Sequence, residues 1–536
     1  MKKTTNYLCM FLALALLFTL SACNNSTSPA STPPGTGSPT ETGEPADTKG
    51  PEQTNGDQPQ YGGTLDIVNM AEGASPIGVP WENLANDQAL MEPAIETLMR
   101  QDVLGNMHPN LAEDWTLDMD AKTLTFNLRE GVKFHDGTDF NAEAAAWCLQ
   151  QAMEANVLTQ FTGARADGEY KLVLEFDTYM NTSLNVLSGG SSGFISPTAF
   201  EENGIEWARD NPVGTGPFKF ESFTRGVELS YVKNDEYWVA GKPYLDGVSY
   251  HFIKDQMTQQ AAMQQAGDEG IDVLLTSSGE QVSALTSMGL DVAIQSTGPN
   301  CLVPSSTDPD SPLANLKVRQ AIYYAIDRDS IVAARGFGVW QPSYQFCEKG
   351  RDEHNDSLDS GTYDIEKAKQ LMEEAGYADG FSTTIYGMPN FADRDALTAI
   401  QSQLAMIGIT VSLEFPDSGG YSSMRRATWD GLLFHHIRSS ANANTSYRFY
   451  VDTGLNDLAA MARPQSLLDA TTASMQAPEY DTVLSGKVNQ EIYDDMTMIP
   501  VYDVFDASIM QTFVRDAELA QWSSCKFIPE NTWLAE

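Results

Sequence analysis

The sequence predicts a mixed α/β fold, α+β in the way its elements intermix, and three observations carry that expectation. Of 536 residues, 42% are hydrophobic and 10% aromatic, enough apolar side chain to bury a sizeable core. Stretches with helical spacing intermix along the chain with stretches that alternate in and out as strands do. No repeat of about 20 to 50 residues is present, which removes solenoids and propellers. At roughly 100 to 200 residues per domain, the length suggests two to four lobes.

Read from the amino terminus, Lys2 and Lys3 precede an apolar run over 7–20, followed by Leu20-Ser21-Ala22-Cys23, small residues where a signal peptidase must fit. This resembles a bacterial lipobox, which implies a signal peptide over 1–22 and a diacylated Cys23 as the first mature residue. The apolar run is about 14 residues, short of the roughly 20 that a spanning helix needs, so the expected anchor is lipid. Residues 24–60 are rich in Ser, Thr, Pro, Gly and Glu, and 23–60 reads as a lipidated cysteine and disordered tether with an rms reach of roughly 30 Å.

From Tyr61 the pattern changes. Thr64-Leu65-Asp66-Ile67-Val68 and Thr123-Leu124-Thr125-Phe126-Asn127-Leu128 alternate as strands. A helix is predicted over 86–100, with Leu90, Ala94, Ile95 and Leu98 on one face, and another over 141–155, begun by Asn141 as N-cap with Glu143 in its first turn. Further helices are predicted over 316–334, 364–375 and 393–406, the last followed by the β-branched strand Ile409-Thr410-Val411-Ser412-Leu413.

Charge and cysteine usage narrow the function. With 32 Lys plus Arg against 73 Asp plus Glu, the net charge is −41, which repels phosphate backbones and anionic headgroups and excludes nucleic acid and any polybasic membrane contact. Beyond Cys9 and Cys23, the cysteines Cys148, Cys301, Cys347 and Cys525 are scattered without CxxC spacing, so no structural metal is expected and none, one or two disulfides remain open. Gly189-Gly190-Ser191-Ser192-Gly193 formally satisfies GxSxG, but it is a Ser/Gly run with Pro197 soon after rather than a strand-to-helix elbow. HExxH, GxxxxGK[ST] and a helix-opening GxGxxG are absent from the sequence. Neither an enzyme nor a cofactor is expected.

Several well-separated segments resemble one family, the peptide/nickel-type (family 5) substrate-binding lipoproteins of ABC importers. They are YGGTLDIV (61–68), LAEDWTLDMDAKTLTFNLREGVKFHDGTDFNAEAAAW (111–147), NPVGTGPFKF (211–220), NDEYWVAGKPYLDGVSY (234–250), LKVRQAIYYAIDRDSIV (316–332), DIEKAKQLMEEAGY (364–377) and TMIPVYD (497–503), in the family's order. Within them Gly131, Asp136, Gly137, Gly214 and Gly216, with Pro212 and Pro217, read as scaffold turns rather than ligand contacts. The resemblance implies a two-lobed periplasmic-binding-protein fold with a hinge and an extra subdomain in lobe I. Mapped here, lobe I comprises 61–100, 210–300 and 499–536, the extra subdomain 101–209, and lobe II 301–498, with crossings near Gly298 and Pro500.

It also implies a function. A monomer held at the cell envelope, on the outer face of the cytoplasmic membrane or in the periplasm, would capture a solute, oligopeptide first, and deliver it to ABC permease and ATPase subunits. The membrane would be met only through the lipid. Alternatives are a receptor for a nickel chelate, oligosaccharide or other anionic solute, or a sensing or adhesion lipoprotein of the same fold. In peptide-binding members an acid following a Trp-containing loop holds the ligand amine. The matching stretch here, WDGLLFHHIRSSANANTSYRF (429–449), departs from that pattern: His435 or His436 replaces Trp, and Arg438-Ser439-Ser440 stands where the acid is expected. Arg438 is a bidentate donor suited to a ligand carboxylate or phosphate, or to a structural ion pair. Adjacent strand residues point to opposite faces, so at most one of the two histidines faces a cleft, and chelation of a metal by both is not expected. The loop Ala71-Glu72-Gly73-Ala74-Ser75 is where the family places further contacts, with Glu72 a candidate for the missing negative charge and Gly73 and Ser75 for backbone and short polar contacts. Arg394 is a second candidate for a ligand carboxylate, and Tyr421 and Trp429 read as core before stacking platforms.

Overall fold

The computed structural model describes residues 58–535 apart from 70–72, 74, 84, 266–269, 360–362, 390, 453–456 and 524, and of 85–87 it describes the backbone but not the side chains. The segments expected as a signal peptide and as a tether up to residue 57, with Cys23, and Glu72 lie outside the described residues. The strands, in chain order, are Thr64–Asn69 (β1), Met99–Gln101 (β2), Met107–Pro109 (β3), Ala112–Asp118 (β4), Thr123–Leu128 (β5), Gly163–Ala166 (β6), Lys171–Glu175 (β7), Phe218–Thr224 (β8), Glu228–Lys233 (β9), Gly247–Phe252 (β10) and Val273–Thr276 (β11). They continue with Asp291–Pro304 (β12), Gln341–Pro342 (β13), Phe381–Gly387 (β14), Ile409–Glu414 (β15), Leu432–His436 (β16), Ile499–Met510 (β17), Val514–Arg515 (β18) and Trp533–Leu534 (β19).

Eleven strands form one sheet in the order β15, β14, β16, β12, β17, β11, β1, β10, β9, β8, with β13 also pairing on β17. β1 runs parallel to β10 and β11, and β14 parallel to β15 and β16, as α/β crossovers require. β12 and β17 are the longest strands, 14 and 12 residues, and pair antiparallel along most of their length. One end of the pair joins β11, the other joins β16, so among the described residues these two strands alone connect the β1 and β14 parts of the sheet. A separate four-stranded antiparallel sheet has the order β4, β5, β7, β6.

The apolar side chains gather on either side of that connection. Leu65, Phe126, Leu149, Phe218 and Tyr250 belong to one cluster and Val68, Leu274, Leu285 and Ile509 to another. Ile322, Ile385, Leu397, Ile400 and Leu432 fill a third, and Val303, Tyr421, Trp429, Leu433 and Tyr447 a fourth.

Where local signals are complete, the elements fall where the sequence predicts. β5 spans Thr123–Leu128 with Leu124, Phe126 and Leu128 inward. The helix Ala142–Glu154 starts at Asn141, whose side chain accepts from Glu143 N and Ala144 N. Ile365–Glu374 and Arg394–Ala405 are capped in the same way by Asp364 and Asp393.

Two helices differ. The helix predicted over 86–100 is instead a 3₁₀ turn, Ala85–Leu90, followed by turns and β2. Pro93 lacks the N–H a helix needs, and the carbonyls of Pro93 and Ala94 accept from Phe218 N and Gly216 N, both at 3.0 Å. A Cβ on Gly214 would lie 2.0 Å from the Ala94 carbonyl oxygen, so the glycines allow this backbone approach. The helix predicted over 316–334 is two, Leu316–Ala325 and Arg328–Arg335. Asp327 caps the second, and the break lets buried Arg328 donate to Tyr323 O, Ile326 O and Pro500 O on β17.

Among the described residues, no helix is long and apolar enough to cross a membrane.

Candidate functional site

Polar side chains converge where β12 passes from one half of the sheet to the other. The β12–β17 register shifts between Ser296 and Gly298. Gly298 has φ +111°, and a Cβ there would meet Ile437 O at 2.2 Å and Ser439 N at 2.7 Å. Residues 437–439 therefore run on beside β12 beyond β16, with Ile437 N donating to Pro299 O and Ser439 N to Thr297 O, both at 2.8 Å. Glu348, from the segment after β13, is buried here. Its carboxylate accepts from Ser439 Oγ at 2.6 Å and from Ser296 Oγ on β12, joining the two segments.

A second carboxyl stands nearby. Asp503 lies in β17 opposite Pro299 and Gln341. Burial, reinforced by the charge of Glu348, pushes its pKa up to about 8, against a hydrogen bond from Ser343 that pulls it down. Its Oδ1 is buried without a hydrogen-bond partner. A carboxylate offers about four acceptor positions, of which Glu348 uses two, so both acids retain capacity for a donor brought from outside.

Of the residues singled out from sequence, Ser439 is at this convergence. His436 pairs with Asn300 of β12, and burial with the charge of Arg438 lowers its pKa to about 4. Its Nδ1 is buried without a hydrogen bond. Arg438 is exposed; its N–H donates to Tyr450 Oη at 3.2 Å and its carbonyl accepts from Ser446 Oγ at 2.8 Å. His435 faces the other way, into the core. Its ring lies between Tyr421 Oη, 3.0 Å from Nδ1, and Arg425 Nη1, 3.2 Å from Nε2, with Tyr450 edge-on, and burial holds it neutral. Tyr421 and Trp429 are core, donating to Phe434 O and Val303 O.

Arg394 is exposed, with its guanidinium 3.7 Å from the centroid of the Phe415 ring. Ser75 is buried and Gly73 has φ +77°. In the GxSxG run, Ser191 sits in a 3₁₀ turn after a helix, its hydroxyl bonded to Gln88 and Asn83. Cys148, Cys301, Cys347 and Cys525 are all free thiols, so none of the disulfides left open by the sequence forms among them. An open depression of about 750 Å³ includes none of the convergent residues and is lined by Glu113, Arg129, Tyr170 and Trp238 among others.

Sequence reasoning missed Glu348, which sits between Cys347 and Lys349 in a charged stretch that resembles a solvated turn. Asp503 carried a readable signal, a carboxylate inside the apolar strand Ile499–Met510.

Residues 106–456 match the bacterial extracellular solute-binding proteins, family 5 (middle region). The chain belongs to this family. It is 31% identical to the glutathione-binding protein GsiB of Escherichia coli O1:K1 over 357 residues, covering 62% of this chain and 67% of that one. Identity to the Shigella flexneri protein of the same name is 32% over 355 residues, with the same coverage. Among solved structures, the fold resembles the periplasmic binding protein DppA of Helicobacter pylori in complex with the peptide STSA, at a TM-score of 0.72 and 20% identity, over 89% of this chain and 99% of that one. NikA of Brucella suis in complex with Fe(III)-EDTA gives a TM-score of 0.74 at 20% identity, over 88% and 98%. The family 5 protein thus has the mixed α/β, two-lobed fold of these binding proteins. Family members are substrate-binding transport proteins outside the cytoplasm, which bind small solutes or peptides and work with an ABC permease.

Proposed function

We propose that this family 5 protein captures a short peptide-like solute with a free amine, glutathione among the candidates, and hands it to its permease. The observation that carries this reading is Glu348, a buried carboxylate fixed by Ser296 and Ser439 beside the unpaired Oδ1 of Asp503. These acids supply from other elements the negative charge that the 431–451 stretch lacks. An ammonium group between them would satisfy the orphaned oxygen and neutralise a carboxyl pair that is costly to bury alone. Arg438, one residue from Ser439, would receive a ligand carboxylate, with His436 beside it. Gly73 and Ser75 would contribute backbone and short polar contacts, whereas His435 and Arg394 drop out of the reading on their surroundings. The GsiB relatives support the choice of glutathione, a tripeptide with one amine and two carboxylates.

The lobes in this reading are 61–100, 210–300 and 499–536 for the first, 101–209 for its extra subdomain and 301–498 for the second, with solute closing the gap between them. Cys23 would carry the lipid at the end of its tether.

Calorimetric titration with glutathione and with di- to pentapeptides, each free and N-acetylated, tests the reading. The expected result is binding of free amines only, weakened in Glu348→Gln by about 2 kcal/mol or more, some 30-fold in Kd. Acetylated ligands that bind as tightly as free ones would remove the amine from the mechanism.

A further inference from the structure

We propose that His354, Asp356 and Asp359 form a binding site for one divalent transition-metal ion, with zinc as the probe. One oxygen of each aspartate and a ring nitrogen of His354 all lie within 4.8 Å of one another. Asp356 and Asp359 open and close the 3₁₀ turn Asp356–Asp359, in which side chains three apart eclipse, so both carboxylates stand on one face. His354 Nε2 is 2.8 Å from Asp359 Oδ2 and 3.7 Å from Asp356 Oδ1. Those separations bracket the edge, ~3.4 Å, of a tetrahedron with bonds of ~2.1 Å.

The His354 imidazole is itself nearly enclosed, its side chain 7% exposed, and each of its ring nitrogens faces an acceptor. Nδ1 lies 2.9 Å from the Cys347 carbonyl, which can only accept, so Nδ1 carries a hydrogen. Gln345 is oriented by Asn355 N and Asn489 Nδ2, both donating to its Oε1. Its amide nitrogen therefore faces Asp359 Oδ1 at 2.7 Å, Asn355 O at 3.0 Å and His354 Nε2 at 3.2 Å, three acceptors for two hydrogens. The shorter two take them. Nε2 then turns a lone pair toward a carboxylate oxygen 2.8 Å away, a contact that is attractive only with a positive charge shared between them.

A metal ion supplies that charge, and an N–H donated from the far ring nitrogen to a backbone carbonyl is the arrangement that orients metal-ligating histidines. One imidazole with two carboxylates suits zinc or its neighbours better than magnesium or calcium, which prefer oxygen alone. The Asp356 side chain is 90% exposed, which gives the ion an entry path and leaves a coordination position for water. The alternative source of charge is a proton, an imidazolium paired with Asp359, and the experiment separates the two.

The full chain, stripped with chelator, would be titrated with zinc by calorimetry, and the His354 ring nitrogens followed by ¹⁵N NMR. The expected result is one zinc per chain, bound at least about tenfold more weakly by His354→Gln and by Asp359→Asn, with Nδ1 protonated and Nε2 metal-bound. Thermal melting of the variants confirms that they fold. Zinc binding unchanged by His354→Gln, no zinc binding at all, or a doubly protonated ring in the presence of excess zinc would each overturn the site. Solute titrations report on Glu348 independently, so loss of one reading leaves the other standing.

Discussion

Asp503 is a carboxyl held neutral by its surroundings, and its proton makes the proposed amine site measurable. An unfolded aspartate loses its proton near ~3.9. In the folded chain burial and Glu348, with a smaller push from Asp359, move that loss up to about 8, while Ser343 opposes it. Between these values the native state holds more protons than the unfolded state, so this residue costs stability progressively as pH rises from about 4 toward 8. Asp503→Asn should remove that slope and raise the thermal midpoint most near pH 8. A bound ammonium reverses the balance, because its charge favours the ionised carboxylate. Peptide binding near pH 7 should therefore release up to one proton per ligand, read as a dependence of calorimetric heat on buffer ionisation enthalpy, and Asp503→Asn should bind without release. Release that persists in the variant would assign the proton elsewhere.

Elements were legible where their signals are local and illegible where a distant segment decides. Asn141 caps the helix Ala142–Glu154 through its own side chain, so the boundary can be read from a few residues. Residues 86–100 have an equally convincing apolar spacing, yet the carbonyls of Pro93 and Ala94 are committed to Phe218 and Gly216, more than a hundred positions away. The same holds at the site. Ser439 was reachable from the strand that precedes it, but Glu348 becomes a site residue only because β13 pairs with β17 and brings its loop against β12. Gly298 is the residue on which that meeting depends. With φ +111° and Ile437 O 2.2 Å from the position of a Cβ, Gly298→Ala must push residues 437–439 off β12. The expected cost is about 2 kcal/mol or more from strain and clash together, measured by denaturant unfolding. Solute affinity should fall further than that of a control such as Gly226→Ala, where a Cβ has open space and only the backbone strain remains.

At the scale of the whole molecule, the residues proposed as the extra subdomain already grip those proposed as lobe II. Asn181, buried, donates from Nδ2 to Ser474 O at 2.8 Å and to Glu479 O at 3.2 Å, with Ala477 O also within reach, and its backbone N–H donates to Met475 O. Its Oδ1 accepts from Asn444 Nδ2 at 3.1 Å, and Asn444 in turn accepts from Ser474 Oγ. Beside it, Asn442 donates to Asn185. Such groups are satisfied by water when apart and by one another when together, so the net preference for the joined state is small and a solute that bridges the lobes can decide it. Asn181→Ala leaves Asn444 and several carbonyls without this partner only when the lobes are closed, and so penalises the closed state alone. By small-angle scattering the variant without ligand should have a larger radius of gyration than the parent, and saturating solute should return it to the parent's value. Its affinity should drop by the same factor as its closed population, because binding must now drive the closure that the asparagines had supported. An unchanged radius with unchanged affinity would mean that the lobes do not part there, and that solute enters by a route other than opening along this contact.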